Sequence, residues 1–261
     1  MSHAEIEGQE ADLANPDIPW ELFYWAAVKE DGRNHMIGRG EFVRLIFEAA
    51  GVPYIDHGVL SGPHPNVYAK SVADFVFGEG NKGGFPVFGP PAIRKGRFVV
   101  NQTPSIMKFL GGKFGLTPKS EVDQVHADSV MAFLTDFIAE GRLVFHPKCF
   151  TQSYYEQVEE AKPYIHWFET TRMPRFLAYL QKVLQYNSSP LHVVGSELTY
   201  VDIAFFHVLD AAQHQFPEAY AKCVADCPLL PPFYESVKAL PRIAEYLASD
   251  RRGFFEGNSM M

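Results

Sequence analysis

The sequence predicts an α/β unit followed by an all-helical unit. Three observations carry that expectation. Strand and turn signals are confined to the first 112 residues, and beyond about residue 120 they give way to apolar runs at helical spacing. Between the two, Gly115-Leu116-Thr117-Pro118-Lys119 has linker chemistry. At 261 residues and 47% apolar, the chain has enough hydrophobic material for two cores.

Residues 1–18 are acidic and lack an apolar run, so they read as an acidic tail rather than a signal or transit peptide. The first unit is expected over 19–112. Its opening strand is Glu21-Leu22-Phe23-Tyr24-Trp25, followed by a polar stretch, Lys29 to His35, with turn chemistry at Glu30-Asp31-Gly32. Phe42, Leu45, Ile46 and Ala49 recur at helix spacing over Glu41–Ala50, and Gly51 ends that helix. Val52-Pro53-Tyr54-Ile55 begins a second strand, and His57 to Gly84 is long and weakly patterned. Pro90-Pro91-Ala92-Ile93 then reads as a strand entered through an X-Pro bond, the peptide type open to cis. Arg94-Lys95-Gly96-Arg97 supplies a hairpin turn, and Phe98-Val99-Val100 returns. Gln102-Thr103 opens a helix through Ile106, Phe109 and Leu110, whose N-terminus is a natural seat for a carboxylate. The order β-α-β, loop, β-β-α is that of a thioredoxin-like domain.

After a linker at 113–120, residues 121–261 are expected to be all-helical. Ser120-Glu121-Val122-Asp123 resembles a helix start for a run to Glu140. Tyr154 to Tyr186 reads as a helix kinked at Pro163 and Pro174. Thr199-Tyr200-Val201-Asp202 forms a capping box before the very apolar Ile203–Ala212, and Phe233 to Ser249 supplies a last helix interrupted at Pro241.

A formal charge of −8 disfavours nucleic acid and anionic membrane as partners. No stretch is long and apolar enough to span a bilayer. Three cysteines, Cys149, Cys223 and Cys227, point to a reducing, cytoplasmic setting. Gly78-Glu79-Gly80-Asn81-Lys82-Gly83 spells G-x-G-x-x-G, but Gly84-Phe85-Pro86 follows where a dinucleotide fingerprint needs a helix. The ten histidines show no HExxH, and Cys223 and Cys227 with His214 make an incomplete zinc set, so no metal is expected.

Five of these segments together resemble the cytosolic glutathione transferases of the tyrosine type (mu, pi, sigma and alpha classes). Leu22-Phe23-Tyr24-Trp25 looks like their first strand, and Gly38-Arg39-Gly40-Glu41-Phe42-Val43-Arg44 through Tyr54 is similar to their first helix and its exit. Pro90-Pro91 to Ile106 resembles the glutathione-binding hairpin and helix, Gly195 to Asp202 the box before the central buried helix, and Leu240 to Leu247 with Arg251-Arg252 the final helix. The likeness spans about Trp20 to Arg252.

The resemblance implies a homodimeric, detoxifying enzyme that activates glutathione, its co-substrate, as a thiolate and transfers it to a hydrophobic electrophile, with peroxidase or isomerase activity on the same thiolate. Members use Tyr, Ser or Cys for that activation. No Cys precedes Cys149 and no Ser falls between Ser2 and Ser61, so the family's role falls to Tyr24. Gln102 and Thr103 then receive the γ-glutamyl end, with Pro90 and Pro91 beside the cysteinyl backbone. Asp136 takes the place of an acid offered across a dimer interface, and Lys82, ahead of Lys95, that of the partner of the glycyl carboxylate. Phe133, Phe137 and Arg142 are candidates for the electrophile pocket. Two departures stand out. Pro90 lacks the N–H that the family offers there, a loss of about 1 kcal/mol in binding, and the alternative register at Phe85-Pro86-Val87 spoils the spacing to Gln102. An insertion, Ala26 to Met36, follows Tyr24, and Ile37 stands where many members have arginine. Both motivate a second expectation, a module that keeps the fold and has weak or no catalysis.

Overall fold

The computed structural model describes residues 2–25, 36–60 and 70–260. By internal packing the chain divides into two units, Met1–Phe109 with Tyr246–Phe254 and Leu110–Glu245 with Phe255–Met261.

The first unit begins with helix α1 (His3–Ala14), where an acidic tail was expected. A capping box made by Ser2 and Glu5 starts it, and Asp12 accepts hydrogen bonds from the Arg97 side chain and main chain, the Arg97 N–H at 2.7 Å. Strand β1 (Trp20–Phe23) leads to helix α2 (Gly40–Ala50), which ends at Gly51 in the left-handed region. Strand β2 (Tyr54–Asp56) runs into the short helix α3 (His57–Leu60). Helix α4 (Lys70–Phe77) lies in the segment whose pattern was weak. The hairpin β3 (Ala92–Lys95) and β4 (Phe98–Asn101) turns at Gly96 and leads into helix α5 (Thr103–Phe114), which overruns the expected linker start at 113. The insertion read at Ala26–Met36 lies, as far as residue 35, outside the described residues.

The four strands form one mixed sheet in the order β2-β1-β3-β4, with β1 and β2 parallel and the other pairs antiparallel. Successive side chains of β1 face opposite sides of the sheet. On one side Trp20 packs against Phe47 of α2 and Phe109 of α5. On the other, Phe23 stacks on Phe75 of α4 at 3.7 Å and on His57 at 4.2 Å.

The second unit holds helix α6 (Glu121–Leu143), a 3-10 turn at Tyr154–Glu156, helices α7 (Val158–Trp167) and α8 (Met173–Tyr186), α9 (Tyr200–Gln215), α10 (Pro217–Val224), α11 (Leu230–Lys238) and most of α12 (Pro241–Leu247). The irregularity between α7 and α8 is a π-helical turn, Phe168–Arg172, while Pro163 sits inside α7. Nearly all of α9 is buried, and its capping box is complete: buried Asp202 accepts from the Thr199 N–H and hydroxyl and from the Val193 N–H at 2.6–2.7 Å. No helix among the described residues is long and apolar enough to cross a membrane.

Glu21 ties three strands together. From β1 it accepts hydrogen bonds from Arg94 Nε and Nη2 of β3, at 2.6 and 2.8 Å, and lies 2.8 Å from Nε2 of His57, the residue that follows β2. Burial alone raises its carboxyl, but the His57 and Arg94 hydrogen bonds outweigh that and bring it from 4.5 down to about 2. A depressed carboxyl adds stability that is present above its unfolded value and is lost as pH falls toward the folded one. Thermal unfolding of the wild type should therefore lose this contribution between about pH 4.5 and about pH 2. Glu21→Gln should be less stable at neutral pH, and its unfolding midpoint should fall less over that acid range. Equal acid dependence in the two proteins contradicts the assignment.

Candidate functional site

Strand register brings the candidate residues to one end of the sheet. Phe23 pairs with Ala92, and Ala92 with Asn101, so three adjacent strands end level. The next residue outward on each is Tyr24, Pro91 and Gln102. With strands about 4.8 Å apart, Tyr24 and Gln102 stand on the order of 10 Å apart across that row. The Pro90–Pro91 peptide is cis.

Tyr24 follows the last residue of β1 and is 6% exposed. Its hydroxyl oxygen accepts the Arg39 N–H at 2.7 Å. An oxygen that accepts a hydrogen bond is polarised and donates its own proton more strongly. Glycines make room for the ring. A Cβ at Gly40 would lie 2.6 Å from its carbons, and one at Gly38, where φ is +48°, would collide with the hydroxyl. The Arg44 guanidinium lies 5.8 Å from the ring centroid.

At the other end of the row Gln102 is exposed and has φ 72°, the left-handed region, which costs a non-glycine residue about 1 kcal/mol or more. That turn lets the Gln102 carbonyl accept the Ile106 N–H and start α5. The first amides of a helix have no partner within it, and Pro104 contributes none, so Thr103 and Ser105 present the N–H groups there. Thr103 is buried, and Asn101 donates to the Pro86 carbonyl at 3.0 Å, tying the preceding loop to the strand end.

The residues 145–250 match the family model "Glutathione S-transferase, C-terminal domain". Over 82% of its length the chain is 27% identical to Glutathione S-transferase P 1 of Xenopus laevis, covering 89% of that protein. It is 24% identical to the Glutathione S-transferase of Plasmodium yoelii yoelii, over 84% of this chain and 92% of the relative. In sequence and in its helical-domain model, the chain is similar to the glutathione S-transferases. Its fold is also that of the Pi-class glutathione S-transferase of Onchocerca volvulus, with a TM-score of 0.62 at 21% identity over 88% of this chain and 92% of the other. The architecture is thus the glutathione transferase one, a thioredoxin-like unit followed by a helical unit.

Not every residue assigned from the family pattern joins the row. Lys82 is 81% exposed, and its ammonium pairs with Glu79 at 2.7 Å. Lys95, the other basic candidate, is buried, with its ammonium on the carbonyls of Asn15 and Ile18, where it holds the exit of α1. Asp136 is an exposed carboxylate on α6 of the second unit. Phe137 is fully buried and stacks on Phe176 at 4.4 Å, so it belongs to the helical core. Phe133 packs on Tyr179 at the edge of that core, and Arg142 lies over Phe150. Among the described residues no group of three His, Cys, Asp or Glu is placed to hold a metal ion.

Sequence reasoning missed Gly40, Glu41 and Arg44 as parts of the Tyr24 surroundings. Glu41 and Arg44 are fully or almost fully buried, although residues of their type on a helix ordinarily face water. The signal available was the helix itself: its apolar positions occupy more than one stripe.

Proposed function

We propose that the protein is a glutathione transferase in which Tyr24 stabilises the thiolate of glutathione for attack on a hydrophobic electrophile. The observation that carries this reading is the row Tyr24–Pro91–Gln102 at the ends of three adjacent strands. An extended tripeptide spans about 10 Å, the span of that row. With the γ-glutamyl carboxylate on the first amides of α5 beside Gln102 and Thr103, the central cysteine lies along Pro91 and its sulfur reaches Tyr24. A free thiol has a pKa of about 8.5, so only a few per cent is ionised at neutral pH. A hydroxyl that donates to the anionic sulfur favours that form. The thiolate then forms the S–C bond as the electrophile's leaving group departs or its double bond accepts the electron pair. The same thiolate would serve peroxide reduction or double-bond shift.

A glutathione-binding module without turnover is the second reading. Pro90 favours it, because a backbone N–H beside the cysteinyl unit is missing. The two separate in one experiment. Tyr24→Phe should keep its retention on a glutathione column and lose about tenfold or more in kcat/KM with a reactive aryl halide. Turnover equal to the wild type removes Tyr24 from the mechanism. A wild type that is retained but turns over nothing favours the module.

A homodimer accompanies this reading. Phe88, just ahead of the cis proline, is 92% exposed. On the second unit an apolar groove of about 290 Å³ is lined by Ser129, Val130, Tyr179, Val183 and Val193, among others. Asp136 lies seven residues on from Ser129 and so on the same helix face. A second copy that seats Phe88 in this groove would cover both apolar surfaces and bring Asp136 to the interface. Phe88→Asp should sediment as a monomer, and an unchanged dimer excludes Phe88 from the contact. A cytoplasmic location fits the three free thiols, Cys149, Cys223 and Cys227. Cell fractionation that places the protein outside the cytosol contradicts it.

A further inference from the structure

The Tyr24 hydroxyl takes its position from a main-chain group, the Arg39 N–H, so whatever holds the turn Ile37–Arg39 also aims the hydroxyl. Two sets of contacts hold that turn. From within, Arg44 Nη1 donates to the carbonyls of Met36 and Ile37 at 3.1 and 3.0 Å. From the far end of the chain, the Phe254 carbonyl accepts the Ile37 N–H at 3.2 Å, and Met36 and Phe254 form a parallel bridge.

Arg44 is 1% exposed, which makes it dependent on its partners. Burial alone would pull its guanidinium down, yet the Asp56 and Glu41 carboxylates hold it above its ordinary range. Asp56 accepts Arg44 Nε at 2.7 Å, and Glu41 lies 3.5 Å from Nη1. Glu41 is itself fully buried, and it is oriented by the returning C-terminal segment: Tyr246 Oη donates to it at 2.9 Å and Arg252 Nε at 3.3 Å. Arg251 pairs with Glu48 one helical turn pair further along α2. The segment Tyr246–Phe254, distant in sequence, thus packs within the first unit and grips both the start of α2 and the turn before it.

We propose that this returning segment sets the position of the Tyr24 hydroxyl, with Glu41, Tyr246 and Arg252 as positioning residues that act through Arg44 and the Ile37–Arg39 turn. The proposal rests on Tyr24 as the group that stabilises the thiolate. It explains why two carboxylates and two guanidinium groups occupy a largely buried place beside α2 where apolar residues would pack at less cost. It also explains why the chain, after running through the helical unit as far as Glu245, contributes Tyr246–Phe254 to the first unit.

The test is a double-mutant cycle on the full-length protein. The variant Tyr246→Phe keeps the ring and removes only the hydroxyl on Glu41. The readout is the pH midpoint of the ultraviolet thiolate band at saturating glutathione, with glutathione Kd measured alongside. In the presence of Tyr24 the midpoint should rise by about half a pH unit, equivalent to about threefold less thiolate on the acid side, with Kd unchanged within about twofold. In the Tyr24→Phe background Tyr246→Phe should add nothing. An unshifted midpoint in the first background, or an equal shift in both, overturns the positioning role, since a structural effect would not depend on Tyr24. A midpoint that Tyr24→Phe alone leaves unchanged removes the thiolate role of Tyr24, and this proposal with it. Arg252→Gln, at a partly exposed position, provides the same cycle if Tyr246→Phe does not fold, and the same pattern is expected.

Discussion

Strand register is the constraint on which the site depends. Side chains alternate along a strand, so a slip of one residue would send Tyr24 to the opposite face of the sheet. The register is held where it can be held most firmly, one and three residues before Tyr24. Phe23 is locked between the rings of Phe75 and His57 on one face, and Glu21 binds Arg94 of β3 and His57 beyond β2 on that same side. With that face occupied, Tyr24 goes to the other, against Gly40 of α2. The same pairing, continued through Ala92 to Asn101, places Gln102 at the level of Tyr24. A packing decision on one side of the sheet therefore becomes a chemical alignment at its end.

Charge in the first unit is distributed in two ways that serve this alignment. At the hairpin, exposed Arg97 holds α1 through Asp12 and buried Lys95 holds its exit through the carbonyls of Asn15 and Ile18. Beside α2, the charges lie inside, and each ion there is met by an opposite charge or a carbonyl. An interior arrangement of this kind adds little net stability over an apolar one, but it tolerates few geometries. Such selectivity suits a turn that must present one N–H to one oxygen.

Much of this was legible in the sequence, for local reasons. Tyr24 stands at the end of an apolar strand, Gly51 ends a helix by its freedom at positive φ, and Thr199 to Asp202 is a complete cap within four residues. What escaped reading depends on distant partners. Helix α1 has no apolar stripe, and it is held by Arg97, some eighty-five residues away. Glu41 and Arg44 look like surface residues until Tyr246, Arg252 and Asp56 arrive around them. Lys82 and Asp136 were placed by pattern alone; the structure leaves both exposed, Lys82 on its own neighbour Glu79. The candidate row was thus readable from the strand ends, whereas the buried surroundings of Tyr24 on the returning C-terminal segment were not.

The central claim is that one tripeptide lies along the row from Gln102 to Tyr24. A crystal structure of the protein with glutathione tests it most directly. The γ-glutamyl carboxylate should lie on the Thr103 N–H, the cysteinyl unit beside Pro91 and the sulfur within hydrogen-bonding distance of Tyr24 Oη. A sulfur turned away from Tyr24, or a tripeptide seated elsewhere with the row empty, would contradict it.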